Sequence, residues 1–170
     1  MAITASEIKV YLSGGGGNTN PNLSLGGAIS STELVDNTLH NLFAKVSAAE
    51  ALAGSTKYRG IYVKNTNGTL TYEDALAYIS ANTTSTDTTA TISVADEGKS
   101  ASMQTIVNED TAPVGEVFVT ADGVANGLSI GSLAPAEYYG VWIKRVVTAG
   151  ATAFGSDTLV LGVRGETTDS

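Results

Sequence analysis

Apolar and polar residues alternate along several short stretches of this chain. In residues 7–12, Ile8, Val10 and Leu12 share one side of an extended backbone, and the residues between them share the other. A period of two is typical of a strand with one buried face. The same reasoning, with β-branched and aromatic content, predicts further strands at residues 58–64, 70–79, 88–95, 103–107, 116–121, 128–130, 138–147 and 158–164.

Residues 70–79 also fit a helix, because Tyr72, Leu76 and Ile79 recur at helical spacing. The preceding run Asn65-Thr66-Asn67-Gly68 favours a strand, since Asn-Gly supplies the positive φ angles of a tight hairpin turn. We therefore predict a hairpin that joins residues 58–64 to a strand at 70–79.

One motif occurs twice. Residues 58–64 read YRGIYVK, and residues 138–144, eighty positions later, read YYGVWIK. Each copy places a glycine inside a strand, which marks either a bulge or a close approach by another backbone. These glycines are interpreted either as docking platforms for repeated partners or as room for a neighbouring aromatic ring.

Residues 20–55 show no strong period, and their apolar side chains are thinly spread. Gly14 to Gly17 form a turn segment before them, and Ala48 to Ala53 fit one short helical turn that Gly54 ends. We predict residues 1–55 as an N-terminal strand plus an extended arm, and residues 56–170 as the body of a single domain.

Short strands joined by turn signals predict an all-β fold. We expect a β-sandwich, immunoglobulin-like or jelly-roll, with an irregular N-terminal arm and at most one or two short helical turns. The 42% apolar content agrees with a packed core.

The charge balance and residue usage bear on partners. A formal charge of −8 argues against nucleic acid, because phosphate contacts need clustered Lys and Arg. The chain has no cysteine, no apolar run of about 20 residues that would span a bilayer, and no signal-peptide pattern at its start. We expect no membrane partner.

Candidate catalytic and metal chemistry is sparse. The Gly14–Gly17 run lacks the Gly-Lys-Ser/Thr end of a phosphate-binding loop. His40 is the only histidine, and the pairs Asp96-Glu97 and Glu109-Asp110 lack the ligand spacing of a calcium loop. The sequence therefore predicts no catalytic residue, no metal site and no cofactor, so we expect that the protein is not an enzyme.

Residues 13–27, 58–66, 141–145 and 165–167 together resemble small virion proteins from the structural modules of tailed bacteriophages. The resemblance implies a virion structural protein, assembled in the bacterial cytoplasm, and brings no active site with it. Capsid decoration, or cement, across junctions of the major capsid protein is the function we expect. A neck, tail or baseplate component and a receptor- or carbohydrate-binding fibre module remain alternatives.

A decoration protein needs contact residues. We predict that the arm lies along a neighbouring subunit and that the chain forms homo-oligomers, with a trimer expected at icosahedral three-fold sites. Trp142 is also expected to pack between sheets, and a surface position at an interface is the alternative. The predicted contact residues are Leu23, Leu25, Leu34, Leu42, Tyr62 and Trp142.

Overall fold

A computed structural model describes residues 2–167 of the chain, and it shows an all-β sandwich. Ten strands and one short helix occur in that range. They are β1 (Ile8–Ser13), β2 (Gly26–Gly27), β3 (Ile29–Glu33), α1 (Ala48–Ala53), β4 (Ser55–Asn65), β5 (Tyr72–Ala81), β6 (Thr88–Val94), β7 (Met103–Thr105), β8 (Leu128–Leu133), β9 (Tyr138–Val147) and β10 (Val160–Glu166). Single 3-10 turns cover Ala5–Glu7, Pro21–Leu23 and Val124–Asn126.

The strands form three antiparallel sheets. The central sheet has the order β3-β1-β4-β9-β6, the outer sheet β10-β5-β8, and a small sheet pairs β2 with β7. The main core lies between the central and outer sheets, where Ile61 and Ile143 meet Ile79 and Ile130. A second cluster, which includes Trp142, lies on the opposite face of the central sheet. The central sheet is therefore covered on both faces.

The two copies of the repeated motif pair with each other. Strands β4 and β9 are antiparallel neighbours, and their register places Ile61 opposite Val141. About that pair the motif is self-complementary, because Gly60 lies opposite Trp142 and Tyr62 lies opposite Gly140. The eighty-residue repeat thus forms a local pseudo-twofold arrangement at the centre of the molecule.

The predicted hairpin after residue 65 is wrong, although the predicted strand that follows it is confirmed. Strand β4 pairs with β1 and β9, whereas β5 pairs with β8 and β10 in the other main sheet. The chain therefore crosses between sheets here. Gly68 does not adopt a positive φ, and the turn is held instead by the Asn67 side chain, which accepts hydrogen bonds from Thr69 N and Leu70 N.

Residues 20–55 contain more regular structure than the sequence indicates. Strand β3 pairs with β1 at one edge of the central sheet, and β2 pairs with β7. Helix α1 begins and ends as predicted: Ser47 and Glu50 form a reciprocal capping box, and Gly54, at φ 78°, ends the helix. The arm is folded onto its own body at both ends.

Most observed strands differ from the predicted ones by a few residues at their ends, and two predictions differ more. Residues 116–121 form no strand: Val119 and Ile92 exchange backbone hydrogen bonds of 2.9 Å in an isolated bridge, and Ala121, at φ 44°, departs from the extended conformation. Residues 128–130 are the first half of the six-residue strand β8. Of the predicted body, residues 168–170 lie outside the described residues.

Candidate protein-contact surface

The structure buries three of the six predicted contact residues within the chain itself. Tyr62 and Trp142 are 0% exposed and Leu42 is 7% exposed. They lie in the two core clusters, so they are not surface positions open to a partner. The contact assignment of these three residues is corrected accordingly, whereas the expectation that Trp142 packs between sheets agrees with its burial beneath β2 and β7.

The cover over Tyr62 and Trp142 comes from segments far away in sequence. Met103 of β7 lies over both motif glycines: a Cβ on Gly140 would be 2.5 Å from its Cγ, and one on Gly60 would be 3.0 Å from its Cε. A Cβ on Gly60 would also lie 3.2 Å from the Gly26 backbone nitrogen. The glycines thus make room for Met103 and for β2 of the same chain, while the aromatic rings stand opposite them.

The Tyr62 hydroxyl is part of this covering layer. It donates to Gly27 O at 2.6 Å and accepts from Met103 N at 2.7 Å, so it ties β2 and β7 to the central sheet. Burial raises the pKa of Tyr62 to about 12 despite the hydrogen bond from Met103. The phenol therefore has a structural role and stays protonated at neutral pH.

The three arm leucines 25, 34 and 42 all pack on the chain's own body. Leu25 packs against the second cluster, and Leu34 packs against the main core. The carbonyl of Leu42 accepts a 3.1 Å hydrogen bond from Arg59 Nε, and Arg59 is 0% exposed. Of the predicted arm contacts, Leu23 is the one that the structure leaves largely exposed, at 58%.

A buried network of charges holds the arm and helix α1 against β4. Arg59 pairs with Glu109, donates to Asn22 Oδ1 at 3.2 Å, and so links two loops to the strand. Lys57 pairs with Glu109 and, at 2.5 Å, with Glu50 of α1. Burial alone would favour the neutral forms of these side chains, so the ion pairs are what keeps them charged.

The carboxylates of this network have shifted pKa values. Burial raises the pKa of Glu50, but hydrogen bonds from Lys57 and Ser47 outweigh it and lower the value to about 2. For Glu109 the same competition, between burial and the hydrogen bonds from Lys57 and Arg59, also lowers the pKa. Both carboxyl groups are therefore ionised at neutral pH, which their ion pairs with Lys57 and Arg59 require.

Arg145 extends the network on β9. Its Nη1 donates to Ala44 O at 3.0 Å, and the Phe43 ring lies 4.8 Å from its guanidinium carbon and 5.4 Å from that of Arg59. Burial lowers the pKa of Arg145, while the charge of Glu50 opposes that change. Such cation–π packing fixes residues 43–44 over the end of the sheet.

Some of the large apolar side chains that the structure leaves exposed lie on residues that follow β7. Val107, Val114 and Val117 are 87%, 83% and 73% exposed. Val114 is fixed to β7, because its N and O form two hydrogen bonds of 2.8 Å with the Gln104 side chain. We call Val107 and Val114, which lie in the loop that follows β7, the valine face.

The segment that carries Val117 and Val119 is held firmly from beneath. Phe118, between them, packs against Tyr58 with ring centroids 5.4 Å apart. Glu116 accepts a 2.7 Å hydrogen bond from the Ser93 hydroxyl of β6. Alternation therefore places Phe118 on the side of the second cluster, whereas Val117 and Val119 lie on the other side of the sheet edge, the side of Ile92.

Carboxylates border the valine face. Asp96 Oδ2 lies 3.0 Å from the position of a Cβ on Gly115, and Glu97 accepts from Gln104 N at 2.8 Å. Burial raises the pKa of Glu116, opposed by hydrogen bonds from Ser93 and Asp96 N, and the charges of Asp96 and Glu97 act in the same direction as burial. The surface is apolar at its centre and acidic at its rim.

The sequence offered only a partial signal for this surface. Residues 116–121, which contain Val117, Phe118 and Val119, were predicted as a short strand. Both sides of that run carry apolar residues, Phe118 on the side of the second cluster and the two valines on the other. Only the position of the segment at the edge of β6 shows which of them is exposed.

Metal-binding side chains do not assemble among residues 2–167. No cluster of three or more His, Asp or Glu residues there is arranged to hold a metal ion. His40 lies in an exposed turn at φ 59°. Asp96-Glu97 borders the valine face, and Glu109 is engaged by Lys57 and Arg59.

None of the helices within residues 2–167 has the length and apolar character to span a bilayer. Comparison of the chain with protein-family models, with curated proteins and with solved structures finds no match. The arrangement described above, a rigid sandwich with an apolar, acid-rimmed face, is therefore what bears on function.

Proposed function

We propose that this chain is a structural protein of a bacteriophage virion, and that it decorates the capsid by binding across junctions of the major capsid protein. The observation that carries the proposal is that Val107, Val114 and Val117, which follow β7, are each more than 70% exposed, although Val114 is held in place by hydrogen bonds with the Gln104 side chain. Apolar side chains held rigidly in water are typical of a surface that a partner covers.

The proposal also draws on the double cover of the central sheet. With both faces of β4 and β9 buried and the arm fixed by the Arg59–Glu109 network, the fold offers a stiff body. A partner that binds such a body loses little conformational entropy at the contact, which favours stable attachment. Self-association into a trimer at three-fold sites belongs to the same proposal.

The copy number of the chain in purified particles tests this function. Particles from the bacterium that carries the gene would be analysed by quantitative mass spectrometry against the major capsid protein. A ratio near one, or a simple fraction such as one third, supports decoration. A ratio of a few per cent moves the chain to the neck, tail or fibre, and absence from particles overturns the virion assignment.

A further inference from the structure

Two asparagines in the chain are followed directly by glycine, Asn67 before Gly68 and Asn126 before Gly127. Such a pair can modify itself without an enzyme, because glycine has no Cβ to keep its backbone nitrogen away from the asparagine side chain. We infer that Asn126 is a site of spontaneous deamidation and that the fold protects Asn67. This modification goes beyond the proposed function and does not depend on it.

The reaction joins the backbone nitrogen of residue 127 to the side-chain carbon of Asn126. Gly127 N, on losing its proton to base, forms a bond to Asn126 Cγ, and the bond from Cγ to Nδ2 breaks. Nδ2 takes a proton from solvent and leaves as ammonia, so that a succinimide ring remains. Water then adds to either carbonyl of the ring, and the products are aspartate and isoaspartate.

The Asn67 amide is held at both of its ends. Its Oδ1 accepts from Thr69 N at 2.9 Å and from Leu70 N at 2.7 Å. Its Nδ2 donates to Glu7 Oε1 at 2.6 Å, and Glu7 Oε2 accepts in turn from Thr4 N at 2.7 Å. The amide carbon must turn toward the next backbone nitrogen before it can react, and that turn breaks these bonds. Holding the two reacting atoms out of the attacking geometry slows such a step strongly.

Asn126 is exposed and held more weakly. It ends the 3-10 turn Val124–Asn126, and within residues 2–167 its side chain makes one hydrogen bond, from Nδ2 to Asp122 O at 3.0 Å. The attacking Gly127 N donates to Val124 O at 3.1 Å. Both bonds lie at the end of a single 3-10 turn, where hydrogen-bond geometry is poor and local opening is cheap. Opening of this turn frees Gly127 N and Asn126 Cγ without breaking a strand pair.

Isoaspartate at residue 126 should disturb the start of β8. The side-chain Cβ of isoaspartate becomes part of the backbone, which lengthens the chain by one methylene just before Gly127. Gly127 has little room to move, because a Cβ there would lie 2.7 Å from Leu76 Cδ1 of β5 and 3.2 Å from Val124 O. Leu128, the first residue of β8, packs against the main core. The lengthened backbone should therefore weaken the pairing of β8 with β5, whereas aspartate leaves the backbone unchanged.

Peptide mapping by mass spectrometry measures conversion at both asparagines, from the mass gain of amide to acid. The purified chain is kept in mildly alkaline buffer at physiological temperature, once folded and once in concentrated urea. In the folded chain we expect Asn126 to convert at least about 10-fold faster than Asn67. In urea the two rates should become similar, because both asparagines then precede an unconstrained glycine. A folded-state rate at Asn126 equal to or below that at Asn67, or a difference of the same size in urea, would overturn the inference.

Three variants control the assignment. Glu7→Ala removes the acceptor of Asn67 Nδ2, so it should raise conversion at Asn67 by about 10-fold and leave Asn126 unchanged; an unchanged rate at Asn67 would contradict protection by the fold. Asn126→Gln should abolish the mass gain at residue 126, because its longer side chain closes a less favourable ring. Freshly purified Asn126→Asp should keep a urea midpoint close to that of the wild type, and aged wild type rich in isoaspartate should unfold at lower urea. Equal midpoints for those two samples would refute the effect of the lengthened backbone on β8.

Discussion

Replacing Gly140 by alanine should destabilise the fold through a specific clash with Met103. A Cβ at residue 140 would lie 2.5 Å from Met103 Cγ, 2.7 Å from Sδ and 3.0 Å from Ala95 Cβ. Contacts that short require the Met103 side chain to move away from residue 140. Overpacking of a buried site costs about 1–3 kcal/mol, so G140A should lower the free energy of unfolding by about 2 kcal/mol.

Met103 provides the second arm of the test. M103A alone removes a side chain that is 3% exposed and should cost about 3 kcal/mol by leaving a cavity. In G140A/M103A the new methyl group enters the space that the methionine vacates. We therefore expect the double variant to lose about 3 kcal/mol instead of the sum of about 5, a coupling of about 2 kcal/mol.

Urea unfolding followed by Trp142 fluorescence measures all three variants. Gly68→Ala is the matched control, because a Cβ there meets nothing within 4 Å and its φ is not positive. It should change the free energy of unfolding by less than about 0.5 kcal/mol. Additive losses in the double variant would show that Met103 does not fill the space over Gly140, and a large loss in G68A would favour the hairpin turn predicted from the sequence.

Three further outcomes follow from the covering layer and the charge network. Tyr62→Phe leaves Gly27 O and Met103 N without their partner and should cost about 1–3 kcal/mol in urea unfolding; an unchanged midpoint would show that the hydroxyl does not fasten the layer. Glu109→Gln should cost about 2–3 kcal/mol because buried Arg59 loses its charge partner, whereas Glu33→Gln, in an exposed pair, should cost less than about 1 kcal/mol; equal losses would contradict the network. The pKa values of Glu50 and Glu109 are lowered in the folded state, so the unfolded chain binds more protons in acid. The free energy of unfolding should therefore fall as the pH drops from about 4.5 toward about 2. E50Q should flatten that dependence, and a pH profile for E50Q identical to that of the wild type would refute the assignment.

The sequence was sufficient for the elements whose signal is local. Alternation in residues 7–12 and β-branched content in 88–95 predicted β1 and β6, and the Gly54 stop signal placed the end of α1 at the correct residue. The fold class followed from these strands. Strand β3 was missed because Ile29–Glu33 is mostly polar, and its pairing with β1 supplies what its own sequence does not.

The contacts between segments distant in the sequence could not be predicted from local patterns. The alternation in β4 is typical of a strand with an exposed face, but β2 and β7 cover the face that carries Tyr62. Tyr62 contacts Gly27 and Met103, which are 35 and 41 residues away in the sequence. The hairpin was mispredicted for a related reason. An Asn-Gly pair favours a tight hairpin turn locally. Here the Asn67 side chain instead accepts hydrogen bonds from the backbone nitrogens of Thr69 and Leu70, while the chain passes from one sheet to the other.

The stability of particles with and without this chain tests the decoration function most directly. Genome release from the gene-deleted phage would be followed with a DNA-binding dye during heating, before and after addition of the purified wild-type chain. The proposal predicts release at a lower temperature from the deleted particles and recovery of the parental temperature on addition. Release at the same temperature in all three samples would contradict a role in holding the shell together.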